Sequence, residues 1–320
     1  MNQTGELFEL YLARSDLRPA SVRFKRRALK YFMEFFGDIP VRKVNLAIAE
    51  DYKVRLAKGR SKSAANGYLA NFKPFWKWLF NNGEIDNNPF YGLRRYRITK
   101  VRRKTFAAIE LSRMLRIASR IWRVRICMGL LGCRRGEVLN LAVCDLNWEE
   151  SHILLSPKVA TEYTWPWDLK DHAIRMVALP ECMNFYGVTV YLHRDLLRLI
   201  EDLGDGQPYF CVEEKYYKKL ICWQQDNILT DIHTSDPVGN FQRSFRKLQE
   251  RAGVLPTKRF HELRAAFTTK MLSKENGIGL ERTADALGHS SVDTTREYDR
   301  RTQESLIADI GRLTENCYQT

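Results

Sequence analysis

Apolar positions recur at helical spacing through the first 90 residues. Val22, Leu29, Phe32 and Phe36 follow one another at steps of seven, three and four, which lines one face of a helix. Arg23, Arg26, Arg27 and Lys30 lie largely off that stripe, so the same helix carries a basic face. Leu69, Phe72, Trp76 and Phe80 form a second stripe with the i,i+4 pair Lys73 and Lys77 beside it, and Asn82-Gly83 is a suitable stop. Pro74 falls inside this run; without an N–H to donate, it predicts a kink or two shorter helices. The aromatic residues of both stripes are expected in a core, and the basic faces are the better candidates for phosphate contact.

The pattern then changes. Residues 94–104 are polar, strongly basic and without an apolar face. They predict a linker (94–105) between a helical domain at 1–93 and a second domain at 106–320, and a basic tether of this kind would track a phosphate backbone. Leu111, Leu115 and Ile117 restart a helical pattern, and 126–143 reads as a buried helix and turn. Residues 152–156 and 174–179 read as strands. The rest is mostly helical, with no internal repeat or low-complexity tract. The fold class is therefore mainly α (α+β): a helical N-terminal domain, then a mixed, mostly helical domain with a small β-sheet.

A chain of 320 residues can hold two cores, and 44% hydrophobic with 28% charged residues describes a folded protein. No apolar run approaches the ~20 residues that span a bilayer. The opening residues lack the basic-then-apolar pattern of a signal peptide, so a cytoplasmic, nucleoid-associated protein with no membrane partner is expected. The seven cysteines, Cys127, Cys133, Cys144, Cys182, Cys211, Cys222 and Cys317, are scattered without CxxC spacing. They suggest neither a zinc site nor a disulfide framework, and most are expected to be small buried side chains. Net charge says more. The 52 basic and 38 acidic side chains leave +14, and residues 1–105 alone hold 23 Lys and Arg against 9 Asp and Glu. The N-terminal segment thus carries the whole surplus, as in a domain that meets a polyanion.

Four short segments carry candidate chemistry. In Gly132-Cys133-Arg134-Arg135-Gly136-Glu137, an arginine follows a glycine turn and opens a helix whose Val138, Leu139 and Leu141 face inward. Lys170 stands seven residues before Val177, at the tip or flank of a hairpin. His261-Glu262-Leu263-Arg264 places a histidine and an arginine at i and i+3, on one helical face, from which both could reach one ligand. No further His or Cys at ligand spacing supports a metal there. In the last segment, Leu287-Gly288-His289, a glycine turn presents a histidine, and a helix then carries Tyr298 nine residues later.

In this order, Arg, Lys, His-x-x-Arg, Leu-Gly-His and Tyr resemble the tyrosine recombinase (phage integrase) family. The resemblance covers nearly the whole chain, since residues 1–92 look like that family's helical, SAM-like core-binding domain, including its Asn88-Pro89 exit. It implies a site-specific recombinase or integrase that cuts and rejoins double-stranded DNA. Tyr298 would form a 3′-phosphotyrosyl link that stores the energy of the broken bond. It also implies His261 as general base, Arg134 and Arg264 as clamps on the non-bridging oxygens, His289 as a further donor and Lys170 as general acid, with Lys158 as the alternative lysine. Glu137 would orient its arginine. The exchange is near-isoenergetic, so no cofactor, metal or nucleotide is implied. The chain departs from the family pattern at Leu131-Gly132, where Thr-Gly is common, and at Ala265-Ala266, where a polar pair is frequent.

Two other readings use some of the same residues. A type IB topoisomerase shares the Arg, Lys, His and Tyr chemistry, but the helical N-terminal domain and Leu-Gly-His favour the recombinase. A non-catalytic DNA-binding regulator would have no use for Arg134, His261, Arg264, His289 and Tyr298 together. After Tyr298, Leu306, Ile310 and Leu313 form a last stripe. It reads either as a helix packed on its own domain or, as the family suggests, as a tail docked on a neighbour in a DNA-bound homotetramer. No arm-binding segment precedes the core-binding region, which suggests a simple system, with accessory factors still open.

Overall fold

The computed structural model describes residues 3–99, 105–169, 174–273, 278–288 and 291–298, the side chains of Glu297 and Tyr298 excepted. The chain divides into two compact units, Met1–Val101 and Arg102–Thr320.

In the first unit, α1 (Thr4–Ala13), α2 (Pro19–Phe36), α3 (Leu46–Ala57) and α4 (Lys62–Asn81) enclose an aromatic core. Asn45 and Ser61 cap α3 and α4 by accepting from the amides of Ile48 and Ala64, donors that a helix start leaves unpaired. Phe32, Phe72 and Trp76 are fully buried, and Trp76 stacks on Phe90 at 5.0 Å. Tyr52 ties α3 to α2 by donating to the Ala28 carbonyl at 2.8 Å. Two expectations need correction. Of the kink or two shorter helices expected at Pro74, the division into two does not occur: α4 is one helix from Lys62 to Asn81. Phe72, Phe75 and Trp76 lock the turns around Pro74 into the core, and that packing outweighs one lost hydrogen bond. Phe80 is exposed, and Leu79 takes the buried place. Tyr96 is held to this unit by reciprocal bonds between its backbone and the Asn66 amide, at 2.8 and 2.9 Å.

The second unit begins with α5 (Ala108–Ile117), α6 (Arg120–Leu130) and the short α7 (Arg135–Leu139). Strands β1 (Leu146–Asn147), β2 (His152–Leu155) and β3 (Arg175–Ala178) form an antiparallel sheet in that order. A second hairpin, β4 (Cys182–Phe185) with β5 (Val188–Tyr191), lies where the sequence predicted helix. Its two-residue turn has Tyr186 and Gly187 both at positive φ, which suits the twist of a tight hairpin. Helices α8 (Leu192–Glu201), α9 (Glu214–Gln225), α10 (Asp231–Ser235), α11 (Phe241–Arg251), α12 (His261–Met271), α13 (Leu280–Leu287) and α14 (Val292–Tyr298) follow. The core gathers Met114, Ile126, Val138, Ile153, Phe245 and Leu263. Trp165, on the segment between β2 and β3, stacks on Tyr209 at 4.0 Å and donates to Asn140 at 2.7 Å. Cys127, Cys133 and Cys211 are buried, but Cys144, Cys182 and Cys222 are exposed, so burial is not the rule expected for the cysteines. Among the described residues no helix is long and apolar enough to cross a membrane. The stripe at Leu306, Ile310 and Leu313, like Cys317, lies outside the described residues.

Candidate active site

The site is built first around the turn between α6 and α7. Gly132 takes φ +91°, and a Cβ there would stand 3.2 Å from Leu287 and from the Phe267 ring. The turn places Arg134 just ahead of α7 and Glu137 in its first turn. The Glu137 carboxylate accepts the Arg134 amide at 2.7 Å and the Arg134 guanidinium at 3.0 Å. A carboxylate at the third helical position reaches back to the amide before the helix, which is the physical reason for the Arg-x-x-Glu spacing.

Helix α12 brings the second arginine. It crosses α6 closely at Gly129, where an added Cβ would meet the Leu263 side chain at 2.9 Å. The neighbouring Arg264 is wholly buried. It donates through Nη1 to the Gly132 carbonyl and through Nη2 to the Leu287 carbonyl at 2.5 Å, and its Nη1 lies 4.0 Å from Glu137. Its Nε finds no partner among the described residues. Burial, with the like charges of Arg134 and Arg175 beside it, pushes the Arg264 guanidinium down to about 10.

A third guanidinium completes the cluster. Along β3, Arg175 and Val177 point inward while Met176 and Ala178 point out. Arg175 donates to Glu137 at 2.6 Å, to the Gly132 carbonyl at 3.2 Å and to the Ala286 carbonyl at 3.0 Å. Burial alone would raise the Glu137 carboxyl. Arg175, the Arg134 amide and the other guanidiniums outweigh that and hold it below the ordinary glutamate range. Three guanidiniums thus share one carboxylate and leave a positive surplus.

The end of α13 meets all three arginines. The Ala286 carbonyl accepts from Arg175, Leu287 from Arg264, and Gly288 from Arg134 at 3.3 Å. The last carbonyls of a helix have no intrahelical partner and form its negative pole, so cations are the fitting caps. Gly288 closes the helix in the left-handed conformation (φ 61°, ψ 48°). Next, Ser291 accepts from the Asp293 amide at the start of α14, which packs on α12 and α13 through the buried Thr295 and ends at Tyr298.

Of the residues singled out in the sequence, the structure brings Arg134, Arg264 and Glu137 together. His261 opens α12, three residues before Arg264, and is exposed. Lys170 and His289 lie outside the described residues. Lys158 is half-buried with its side chain 8% exposed, its ammonium on Asp145 at 2.6 Å and on the Ser156 carbonyl at 3.0 Å. Arg175 was not among the candidates. Its phase with Val177 along β3, an arginine in the row of a buried apolar residue, was the available signal. Among the described residues no three His, Cys, Asp or Glu side chains gather as a metal site would require.

Comparison with known proteins adds a family. The model of the phage integrase family matches residues 104–305. The tyrosine recombinase XerA of Thermococcus onnurineus is 25% identical over 310 residues, covering 96% of this chain and 93% of XerA. Among solved structures, the integrase of transposon Tn1549 in complex with circular intermediate DNA superposes with TM-score 0.68 at 17% identity, covering 97% of this chain and 99% of that one. A lambda integrase tetramer bound to a Holliday junction gives TM-score 0.66 at 14% identity, covering 94% of this chain and 80% of that one.

Proposed function

The chain belongs to the phage integrase family, and from that premise we propose that it is a site-specific recombinase that breaks and rejoins double-stranded DNA through Tyr298. The observation that carries this reading is the arginine cluster. Arg134, Arg175 and Arg264 surround a single carboxylate and bind the end of α13, which packs on the helix that ends at Tyr298. A phosphodiester gains negative charge on its non-bridging oxygens as it is attacked, and preorganised donors of surplus positive charge favour that state over the starting one.

The Tyr298 phenolic oxygen attacks the scissile phosphorus, and the bond to the 5′-oxygen breaks. His261 takes the phenolic proton, needed because an unperturbed phenol near pKa ~10 is mostly protonated at neutral pH. Arg134 and Arg264 clamp the non-bridging oxygens through N–H groups beyond those given to Glu137 and to the carbonyls of Gly132, Leu287 and Gly288, with His289 as a further donor. Lys170 protonates the departing 5′-oxygen; Lys158, already committed to Asp145, is the weaker candidate. Attack by the 5′-hydroxyl of another strand reverses the step and restores Tyr298. The basic N-terminal segment holds the flanking duplex through its phosphates. The lambda integrase tetramer on a Holliday junction supports a working unit of four copies on synapsed DNA.

The test is a suicide substrate carrying the cognate site, incubated with wild type and with Tyr298→Phe and resolved on a denaturing gel. A covalent protein–DNA band confined to wild type is expected. Tight binding with no band in wild type would replace this reading with a non-catalytic DNA-binding role. Relaxation of supercoiled DNA of random sequence would favour a topoisomerase.

A further inference from the structure

Arg175 has no task in the chemistry just set out, yet it is placed where the parts of the site meet. Its side chain is 7% exposed, and its guanidinium reaches three chain segments: the Gly132 turn, Glu137 on α7 and Ala286 near the end of α13. Its stem passes against Gly288, where an added Cβ would stand 2.8 Å from Arg175 Cδ. The first two segments carry and orient Arg134; the third leads into Gly288, whose carbonyl Arg134 binds.

We propose that Arg175 is a positioning residue for the recombination chemistry: it locks the Arg134 turn to the end of α13, and so sets the Arg134 guanidinium at the distance from Tyr298's helix that phosphate binding needs. This rests on the reading of Arg134 as a phosphate ligand. The planar fork reaches Ala286 from Nη1 and both Glu137 and Gly132 from Nη2, a spread that the single nitrogen of a lysine does not match. A lysine at this position keeps the charge and can satisfy Glu137, but it cannot also hold both carbonyls. Charge and span are therefore separable by substitution.

The experiment measures single-turnover cleavage of the suicide substrate, cognate DNA binding and thermal unfolding for Arg175→Lys and Arg175→Met. Each variant is made alone and in an Arg134→Ala background. By analogy with the residues that orient metal ligands, a partner one step removed from the reacting groups is expected to account for on the order of 10-fold to 100-fold in rate. Arg175→Lys is expected near the lower figure and Arg175→Met near the upper, with DNA affinity within about threefold of wild type. In the Arg134→Ala background both slowdowns should shrink to less than about threefold, because the residue being positioned is gone. A general loss of structure would instead slow cleavage equally in both backgrounds and lower binding with it.

Wild-type cleavage rates in Arg175→Met, or a slowdown undiminished by Arg134→Ala, would overturn the proposal. If Arg175→Met does not fold, Arg175→Lys carries the same cycle alone. Failure of the underlying reading is distinguishable, since wild type would then give no Tyr298-dependent adduct at all.

Discussion

The carboxylate of Glu137 accepts the Arg134 amide at 2.7 Å through one oxygen and the Arg134 guanidinium at 3.0 Å through the other. One buried side chain therefore fixes both ends of the same arginine, and the oxygen that accepts the amide also receives Arg175 at 2.6 Å. Glu137→Gln replaces an acceptor-only group by an amide that must turn a donor toward a guanidinium. Breaking a buried ion pair in this way costs about 3–5 kcal/mol, and the orienting role predicts slower cleavage as well. The pH dependence has a definite sign. The Glu137 carboxyl lies below the ordinary value in the folded protein, so its ionised form stabilises the fold fully above about pH 4.3, the unfolded value. That contribution disappears as pH falls through the lower folded value. The stability gap between wild type and Glu137→Gln, measured by urea unfolding, should narrow as the solution is acidified through that window. A gap independent of pH would show that Glu137 ionisation contributes nothing.

The two lysines separate by a change in the leaving group. Replacing the bridging 5′-oxygen of the scissile phosphate by sulfur makes a leaving thiolate that needs no proton. Lys170→Met should slow cleavage of ordinary DNA by on the order of 10²–10⁴ and recover nearly fully on the sulfur substrate. Lys158→Met leaves the buried Asp145 carboxylate without its partner, so it should lower the melting temperature while keeping the oxygen-to-sulfur rate ratio of wild type. Sulfur rescue of Lys158→Met alone would transfer the acid role to Lys158.

What the sequence made legible follows from how far each interaction reaches. The Arg-x-x-Glu spacing is local capping geometry, and His-x-x-Arg is one helical turn, so both can be read from a short window. Arg175 is different. Its bond to Ala286 crosses 111 residues, and Arg134 meets Gly288 across 154, separations that no local pattern encodes. The β4–β5 hairpin went unseen because Tyr186 stands where a tight turn ordinarily has Asn, Asp or Gly. Pro74 does not divide α4 into two helices, because Phe72, Phe75 and Trp76 hold the turns around it in the aromatic core.

Arg125 offers a test of the second unit's core that does not depend on the reaction. Wholly buried, it donates to the Cys211 carbonyl at 3.1 and 2.8 Å, to Glu213 at 2.8 Å, and lies over the Trp122 ring at 4.9 Å. Removing it strands a buried carbonyl and the cation–ring contact, which together are worth about 2–4 kcal/mol. The Glu213 side chain is 37% exposed, so water can replace its share. Glu213→Gln keeps an acceptor oxygen facing the guanidinium and should therefore cost less than Arg125→Met. Urea unfolding of Arg125→Met and Glu213→Gln distinguishes the two contributions. Equal losses would mean that the ion pair, not the carbonyl, is what Arg125 supplies.

The charge surplus of the first unit predicts a steep salt dependence of DNA binding, with unequal parts for its arginines. Arg23 and Arg27 are exposed on α2, whereas Arg26 is held by Glu9 at 2.6 Å. An arginine already paired to a carboxylate must give up that partner before it can neutralise a phosphate, so it releases fewer counterions on binding. Each true phosphate contact that is removed lowers the slope of log affinity against log salt by about 1. Arg23→Ala and Arg27→Ala should each flatten the slope by roughly that amount, and Arg26→Ala by distinctly less. Fluorescence anisotropy titrations of a labelled duplex across a salt series give these slopes directly. A wild-type slope near zero would remove the first unit's charge from DNA binding. Equal flattening by all three substitutions would mean that the Glu9 pair opens freely and that α2 presents its whole basic face to the phosphates.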